Sequence, residues 1–438
     1  GHTFLGGGIE LTPGDWRFAV MYGKLENAIV QTDSLVVGAE LLQTYHRKAY
    51  GAKIGAGTEE SSIDFIFFRA YDDLSKSLPD TTFLKPQDNL TIGLNLKMQL
   101  FKIINLYANT GGSLYTRNTT FDVAEINDDL EDIPFVNTVR KLTTVNGATR
   151  FGFGGDAGIR LNFKPFQIGA EYKRIEPYFN TLGAYYLRTD YENIRGNLSF
   201  RLFKGKVALR GSYGVQRNNL RNNRSFTNWR RIGSGFLTII PSTNYGVSAS
   251  YSNFQTDQQS GIIAVNDTLR LAVIGEQMTV SPYLNIKREK AMHSISLNLN
   301  RFTFNDVNEF KENPSSSETS SAFANYRIKY TQTNWSLNLG VNYSSTLFSD
   351  IENTRYGGTV GVGKSFFEKK LSTRLNTTFN LSQENQSSNG YIQNSRLSLQ
   401  WKFNKKNAFN FSLTHINRAT KTKAFSEFRG RMSYAFRF

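Results

Sequence analysis

The sequence of 438 residues contains no cysteine, so it can form no disulfide bond, thiolate metal site or cysteine nucleophile. It has no apolar run approaching about 18 residues, which excludes a conventional transmembrane helix. Proline is scarce, and the four histidines fall at the N terminus or on separate predicted strands: His2, His46, His293 and His415. No Gly-x-Ser-x-Gly, His-Glu-x-x-His or phosphate-loop pattern accompanies them. We therefore predict that the protein is not an enzyme and uses no cofactor or metal.

What the sequence has in abundance is aromatic residues, glycine and positive charge. It contains 34 Phe, 21 Tyr and 36 Gly, a composition that favours β-strands. The formal net charge is +16. Three interpretations compete for this charge: nucleic-acid binding, a basic surface facing a membrane, or a basic channel.

Hydrophobic residues recur at every second position along nearly the whole chain, which is the period of a β-strand. Residues 335–343 are an example, where one face carries Trp335, Leu337, Leu339, Val341 and Tyr343, and the other Ser336, Asn338, Gly340 and Asn342. The same alternation occurs at residues 16–22, 90–100, 371–381 and 396–403. No segment has a convincing helical period.

Short turns recur at intervals of roughly forty residues, which is the length of a strand pair with one loop. Longer polar loops are predicted between them, for example near residues 118–147, 218–227, 346–353 and 382–390. Propellers repeat at a similar interval, but with four short strands and a blade motif that is absent here. The pattern predicts an all-β fold, a transmembrane antiparallel up-and-down β-barrel of about 20–22 strands with short periplasmic turns and longer extracellular loops.

We predict a single barrel domain over residues 1–438, with about twenty-one strands. Bacterial single-chain barrels have even strand numbers and both termini in the periplasm. An odd number means either that the predicted count is off by one or that a strand or domain precedes Gly1, and we favour the second expectation.

The C-terminal strand carries apolar residues on one face and arginines on the other. The apolar positions are Met432, Tyr434, Phe436 and the final Phe438. This ending resembles the C-terminal signature of bacterial outer-membrane β-barrels. The resemblance implies a location in the bacterial outer membrane, contact with its lipid, and assembly by the barrel-assembly machinery.

Basic residues occupy the polar face of many predicted strands, and we predict that this face lines the lumen. The set comprises Arg17, Lys97, Arg150, Arg160, Lys173, Arg195, Arg201, Arg210, Arg374, Arg396, Lys402, Arg429, Arg431 and Arg437. Only Asp64, Asp156 and Glu171 oppose them on this face. Such a lumen favours anions. An alternative with equal support is that these cations pair with acids on a plug or on neighbouring strands.

Barrels of about 22 strands often contain a plug, but the sequence has no compact domain to serve as one. The insertion at residues 118–148 is the only one long enough to fold into the lumen. Otherwise the pore is wide, or a plug or accessory protein comes from preceding sequence or another chain. Two acidic runs, at residues 71–73 and 127–132, could pair with lumenal arginine or bind calcium, although their ligand spacing is irregular.

A second basic cluster lies in a predicted outer loop and is interleaved with Asn, Phe226 and Trp229. Its members are Arg217, Arg221, Arg224, Arg230 and Arg231. Arginine with aromatics can bind nucleic acid, but lipopolysaccharide phosphates fit the predicted topology better. The alternative is a solvated loop with aromatics at the membrane edge.

Three further stretches, at residues 172–186, 215–220 and 249–254, resemble large outer-membrane proteins of the Bacteroidota. The resemblance implies a porin, an uptake barrel similar to TonB-dependent receptors, or a barrel of a secretion or assembly machine. The usual TonB box and plug do not occur in the sequence, which argues against energised uptake unless the chain is longer.

The leading prediction is an outer-membrane channel or transporter that passes solutes or polypeptide through a lumen favouring anions. The alternative is a structural or accessory barrel subunit of an outer-membrane secretion or assembly complex. A soluble nucleic-acid binder is a distant third interpretation, and we predict that nucleic acid is not a partner.

Overall fold

The computed structural model describes residues 4–28, 44–75, 84–121, 140–184, 186–262, 270–312, 314–404, 407–421 and 423–436. These residues contain 21 β-strands. The paired strands run antiparallel and are consecutive along the chain. The predicted fold class, all-β with antiparallel up-and-down strands, is confirmed. Across these ranges there is no α-helix, and only a short 3-10 turn at Phe203–Gly205 interrupts the strands.

No helix in the described parts of the chain is long and apolar enough to cross a membrane. The chain divides into two compact units, which are described separately. Unit 1 comprises Gly1–Asn197, Gly214–Trp229 and Gln259–Val265, and unit 2 comprises Leu198–Tyr213, Arg230–Gln258 and Asn266–Phe438. The prediction of a single domain over residues 1–438 stays a prediction.

The first eight strands belong to unit 1, where each pairs with the next. They are β1 (Leu5–Leu11), β2 (Trp16–Glu26), β3 (His46–Gly57), β4 (Ser62–Asp73), β5 (Asp88–Leu100), β6 (Ile104–Thr116), β7 (Thr149–Asn162) and β8 (Phe166–Ile175). Residues of three further strands are divided between the units, namely β9 (Tyr191–Leu202), β10 (Val207–Asn218) and β11 (Phe226–Ser242).

The remaining strands form unit 2 almost entirely, and they also pair consecutively. They are β12 (Tyr245–Ser260), β13 (Ala272–Lys287), β14 (Ala291–Asp306), β15 (Ser316–Tyr330), β16 (Trp335–Phe348), β17 (Ile351–Phe366), β18 (Leu371–Glu384), β19 (Ser387–Lys402), β20 (Asn407–Ala419) and β21 (Ala424–Phe436).

Residues that pair across neighbouring strands are similar in polarity, so each unit has an apolar face and a polar face. In unit 2 the apolar face includes Val341, Val360 and Leu375, which are 63%, 54% and 51% exposed. Residues directly opposite each other in an antiparallel pair lie on the same side of the sheet. Asn338 and Asn376 thereby share the polar face, since both flank Gly361. The apolar side chains therefore cover a surface rather than a core.

Two connections predicted as long loops are instead tight turns. The loop predicted near residues 346–353 is only the gap between β16 and β17, and the one near 382–390 is the gap between β18 and β19. The second turn consists of Asn385 and Gln386, whose φ angles are 45° and 64°. Positive φ at both positions matches the two-residue turns that suit the twist of a hairpin. The polar residues around these turns continue the strand ladders instead of leaving them.

The insertion at residues 118–148 does not place its described part on the polar face. Val145 is buried against Leu90 and Leu114, with Phe67 packed beside them. Leu90 and Leu114 pair directly and belong to the apolar face of unit 1. Val145 thus lies on the apolar face, whereas residues 122–139 of the insertion lie outside the described part.

Candidate anion-binding face

Two neighbouring rows of side chains cross the polar face of unit 2 from β15 to β21. One row contains Lys329, Arg374 and Arg431, which are connected through direct pairing partners Ser336, Gly363, Ser398 and Ser412. The other contains Arg327, Arg396 and Arg429, connected through Asn338, Gly361, Asn376 and Thr414. Because residues in each row lie side by side across the strands, the sequence alternation becomes a two-dimensional array of positive charge.

This part of the polar face forms a concavity of about 790 Å³. Eight basic residues line it: Arg327, Lys329, Lys364, Lys369, Arg374, Arg396, Lys402 and Arg431. The rest of the lining consists mainly of Ser, Thr, Asn and Gln, and it includes no Asp or Glu. Hydroxyl and amide groups can hydrogen-bond an anion, but they cannot neutralise the cations. The concavity therefore has a strongly positive potential.

Ion pairing separates Arg429 from the rest of the array. Its Nε and a terminal nitrogen donate to the two carboxylate oxygens of Glu427 at 2.7 and 2.8 Å. Within the described ranges, no ion pair joins an acid to any of the eight basic residues that line the concavity. These eight are thus available to a mobile anion, whereas Arg429 is already neutralised.

Unit 1 places its predicted basic residues on its polar face as well, but there acids accompany them. Arg17 forms an ion pair with Asp64 at 2.9 Å, and Lys53 forms one with Glu10 at 2.9 Å. Lys173 pairs in register with Asp156. The polar face of unit 1 is therefore of mixed charge, unlike the concavity in unit 2.

The other predicted lumenal residues of unit 1 also lie on the polar face. Lys97 donates to the backbone carbonyl of Glu59, and Arg150 donates to the carbonyls of Gly147 and Thr149 at 3.3 and 3.0 Å. Arg160 pairs in register with Asn105 and Gly169.

Three predicted residues lie on strands shared between the units. Arg195 and Arg201 lie on the same face of β9 as Asn197, because each lies an even number of positions from it. This is the polar face, since the Asn197 side chain occupies the space that a Cβ on Gly169 of the polar face would enter. Arg210 alternates with the exposed apolar Leu209 on β10. Arg437 lies outside the described residues. Whether the whole set lines a lumen stays a prediction.

Sequence reasoning missed Arg327 and Lys329, although both line the concavity. The reason is that β15 carries Phe323 on its polar face, paired with Asn342, and the small Ala322 and Ala324 on its apolar face. The usual contrast between the two faces is therefore inverted at the middle of this strand. The alternation of the final residues, Tyr326, Ile328 and Tyr330, is the signal that could have identified the two cations.

The second basic cluster is not confined to a loop. Arg217 ends β10, and Arg230 and Arg231 lie at successive positions of β11, so the latter two point to opposite faces. The connecting loop contains only Arg221 and Arg224. The prediction of a single outer-loop cluster is wrong because the ladder extends further in both directions than its polar sequence indicated.

Most of the cluster in unit 1 is already engaged. Arg217 pairs with Glu192, and its guanidinium lies 5.6 Å from the centroid of the Trp229 ring. Arg224 lies 2.5 Å from the carboxylate of Asp190. Arg221 instead stacks over Tyr178, with 4.5 Å between its Cζ and the ring centroid.

The acidic run at residues 71–73 pairs with cations of the adjacent strand. Arg47 Nε donates to Asp72 Oδ1 at 2.8 Å, and Lys48 Nζ lies 2.7 Å from Asp73 Oδ2. The run at residues 127–132 lies outside the described residues. Among the residues that the structure does describe, no group of three or more His, Asp or Glu side chains could hold a metal ion.

A segment of unit 1, residues 176–184, lies across the polar face of β4 to β7, and we name it the covering segment. The Asn89 side chain holds it: Nδ2 donates to the Asn180 carbonyl at 3.3 Å, and Oδ1 accepts from the Leu182 backbone N–H at 3.1 Å. Ser113 Oγ also donates to the Asn180 carbonyl. Leu182 is buried against Leu25, Ala49 and Ala70. The covering segment is therefore anchored by both hydrogen bonds and apolar packing.

The C-terminal strand places Met432, Tyr434 and Phe436 on the apolar face, as the alternation predicts. They pair in register with Phe411, Phe409 and Asn407, and the Tyr434 hydroxyl donates to the Asn407 side chain. Phe438, the last residue of the predicted assembly signal, lies outside the described residues.

No family model matches the sequence, and no curated protein matches it. Among solved structures, the chain is similar to Pseudomonas aeruginosa OpdK with vanillate, at 9% identity and a TM-score of 0.38, over 86% of this chain and 98% of that chain. It is similar to Acinetobacter baumannii OccAB4 at 12% identity and a TM-score of 0.36, over 90% and 99%. A BenF-like porin from Pseudomonas fluorescens Pf-5 matches at 9% identity and a TM-score of 0.38, over 89% and 97%. The resemblance to Bacteroidota proteins stays a prediction.

Proposed function

We propose that the strands close into a β-barrel that spans the bacterial outer membrane. The apolar face supports this, because its large side chains are exposed to a degree that water disfavours and lipid accepts. Strand length also supports it, since every described strand after the 7-residue β1 has between 10 and 17 residues, against about 9–11 needed to cross a bilayer.

Aromatic and basic side chains near the turn end of unit 2 fit a membrane–water interface. Lys364 Nζ lies 4.7 Å from the centroid of the Trp335 ring and 5.0 Å from that of Phe366. Trp401 and Phe403 pack together nearby on the same end of β19, with ring centroids 4.6 Å apart. Aromatic residues concentrate at both interfaces of membrane proteins, and lysine there extends its charge toward water along an apolar stem.

The barrel is a channel or transporter that favours anions, passing solutes or polypeptide, and it performs no catalysis. The observation that carries this proposal is the concavity of unit 2, whose lining contains eight basic residues and no carboxylate. Basic rings and patches raise the local concentration of anions and exclude cations. Outer-membrane lipid, lipopolysaccharide and the barrel-assembly machinery are the proposed partners, the last through the apolar residues of β21.

The proposal is tested by ion selectivity in planar bilayers with a matched pair of variants. We expect the double substitution Arg396→Gln with Arg431→Gln to lower the permeability ratio of chloride to potassium. The control is Arg301→Gln with Lys48→Gln, which removes the same charge from the apolar faces of the two units. Because neither residue lines the concavity, the control should keep the wild-type ratio.

Equal ratios in both double variants would show that the concavity does not govern ion passage. A folded wild-type protein that never conducts would instead favour the accessory-subunit alternative. Purification of the native protein from outer membranes would then be expected to yield stoichiometric partner proteins.

A further inference from the structure

Three of four successive residues in the middle of the polar face of β17 are glycines. This face carries Gly357, Thr359, Gly361 and Gly363 in succession, and the neighbouring strands extend over it. A Cβ on Gly361 would lie 2.0 Å from Asn376 Oδ1, and one on Gly363 would lie 2.9 Å from Ser336 Oγ. These glycines therefore form a floor that a larger residue would fill.

Two matched rows of asparagines flank this floor, and they behave differently. Asn342 and Asn380 flank Gly357, and Asn342 Nδ2 donates to Asn380 Oδ1 at 2.8 Å. The first row is therefore closed over the glycine. Asn338 and Asn376 flank Gly361 in the same way, yet no hydrogen bond between them occurs in this described part of the chain.

A pocket of about 240 Å³ opens over the second row. Arg327 lies on one side of it and Arg374 on the other, with Ser336, Asn338 and Asn376 between them. Its lining includes no Asp or Glu. Two arginines, two asparagines and a serine thus surround a volume large enough for several water molecules.

We propose that this pocket binds a dianionic oxyanion, with inorganic phosphate or the phosphate group of a small ester as the ligand. The formal charge of the two arginines matches a dianion. The planar guanidinium donates paired hydrogen bonds to phosphate oxygens, and donors on opposite sides can engage different oxygens of one tetrahedral group. A single carboxylate has only two oxygens to share among these donors. The inference rests on the proposed function, because it assumes that the polar face lines a water-filled channel.

The test is isothermal titration calorimetry of the full chain, folded in detergent, with inorganic phosphate and with acetate as probes. We expect phosphate to bind at least about tenfold more tightly than acetate. Arg374→Gln should weaken phosphate binding by about tenfold or more, because it removes a hydrogen-bonding partner of a charged ligand. Arg301→Gln, which removes a cation from the apolar face of unit 2, is the control and should change binding less than about threefold.

Two asparagines of β16 provide a second pair of variants, in which we expect a smaller effect on phosphate binding. Asn338→Ala should weaken phosphate binding by about fivefold, whereas Asn342→Ala should leave it unchanged. Circular dichroism and heat-modifiable gel mobility establish that each variant folds. Equal affinity for acetate and phosphate, or equal effects of Arg374→Gln and Arg301→Gln, would overturn the inference.

Channel recordings distinguish failure of this inference from failure of the proposed function. Chloride selectivity without phosphate binding would refute the pocket and leave the anion channel intact. Phosphate binding that depends on Arg374 in a protein that does not conduct would support the pocket and refute the channel.

Discussion

Replacement of Asn89 by alanine should release the covering segment of unit 1. The Asn89 side chain is fully buried, and its Nδ2 donates to Ser113 Oγ at 2.7 Å as well as to the Asn180 carbonyl. The substitution leaves the buried Leu182 N–H without its acceptor, at a cost of about 1–3 kcal/mol, and removes the bond to Asn180, worth about 1 kcal/mol. Docking of the covering segment should therefore weaken by about 2–4 kcal/mol.

Hydrogen exchange measures this change directly at the Leu182 amide. Since 1.4 kcal/mol corresponds to a factor of ten, exchange should accelerate by roughly 30- to 700-fold. The control is Asn105→Ala. Asn105 lies on the polar face of the neighbouring strand β6, at the end remote from the covering segment. Single-channel conductance should rise in the Asn89 variant if the released segment had narrowed the channel. Unchanged exchange at Leu182 would refute the role assigned to Asn89.

Three further substitutions test other parts of the structure. Gly152→Val should displace the covering segment, because a Cβ at this position would lie 2.1 Å from the Phe179 backbone nitrogen. Protease accessibility of residues 176–184 should therefore increase. Gly196→Val is the control and should leave this accessibility unchanged, because a Cβ there would have no atom within 4 Å. Arg69→Gln should lower the free energy of unfolding by about 3 kcal/mol, because the Asp88 carboxylate is only 2% exposed and loses its cation; a loss under about 1 kcal/mol in denaturant titration would contradict this. Val341→Lys should destabilise the protein in lipid vesicles by about 2–4 kcal/mol, and equal stability would contradict a lipid-facing position.

The strand alternation allowed the fold class and most polar-face cations to be predicted from sequence. Arg374, Arg396 and Arg431 are examples, since each is followed directly by a large apolar residue on the opposite face. Such prediction works because side chains alternate strictly between faces. It failed at Arg327 because Phe323 and two alanines remove the contrast on which the reasoning depends.

The covering segment could not be predicted, because its anchors are mainly backbone groups. The Asn180 carbonyl and the Leu182 N–H exist at almost every position of a chain, and only the fold brings them to Asn89. The pocket over Gly361 was equally hidden. Its members are separated by turns, and only the registers of β15 to β18 place them in neighbouring rows.

The reversal potential of the wild-type protein across a potassium chloride gradient tests the central claim most directly. The unneutralised cations of the unit 2 concavity predict that chloride permeates more readily than potassium. The preference should weaken as ionic strength rises, because salt screens the charges over a shorter distance. A preference for potassium in a folded, conducting protein would contradict the account.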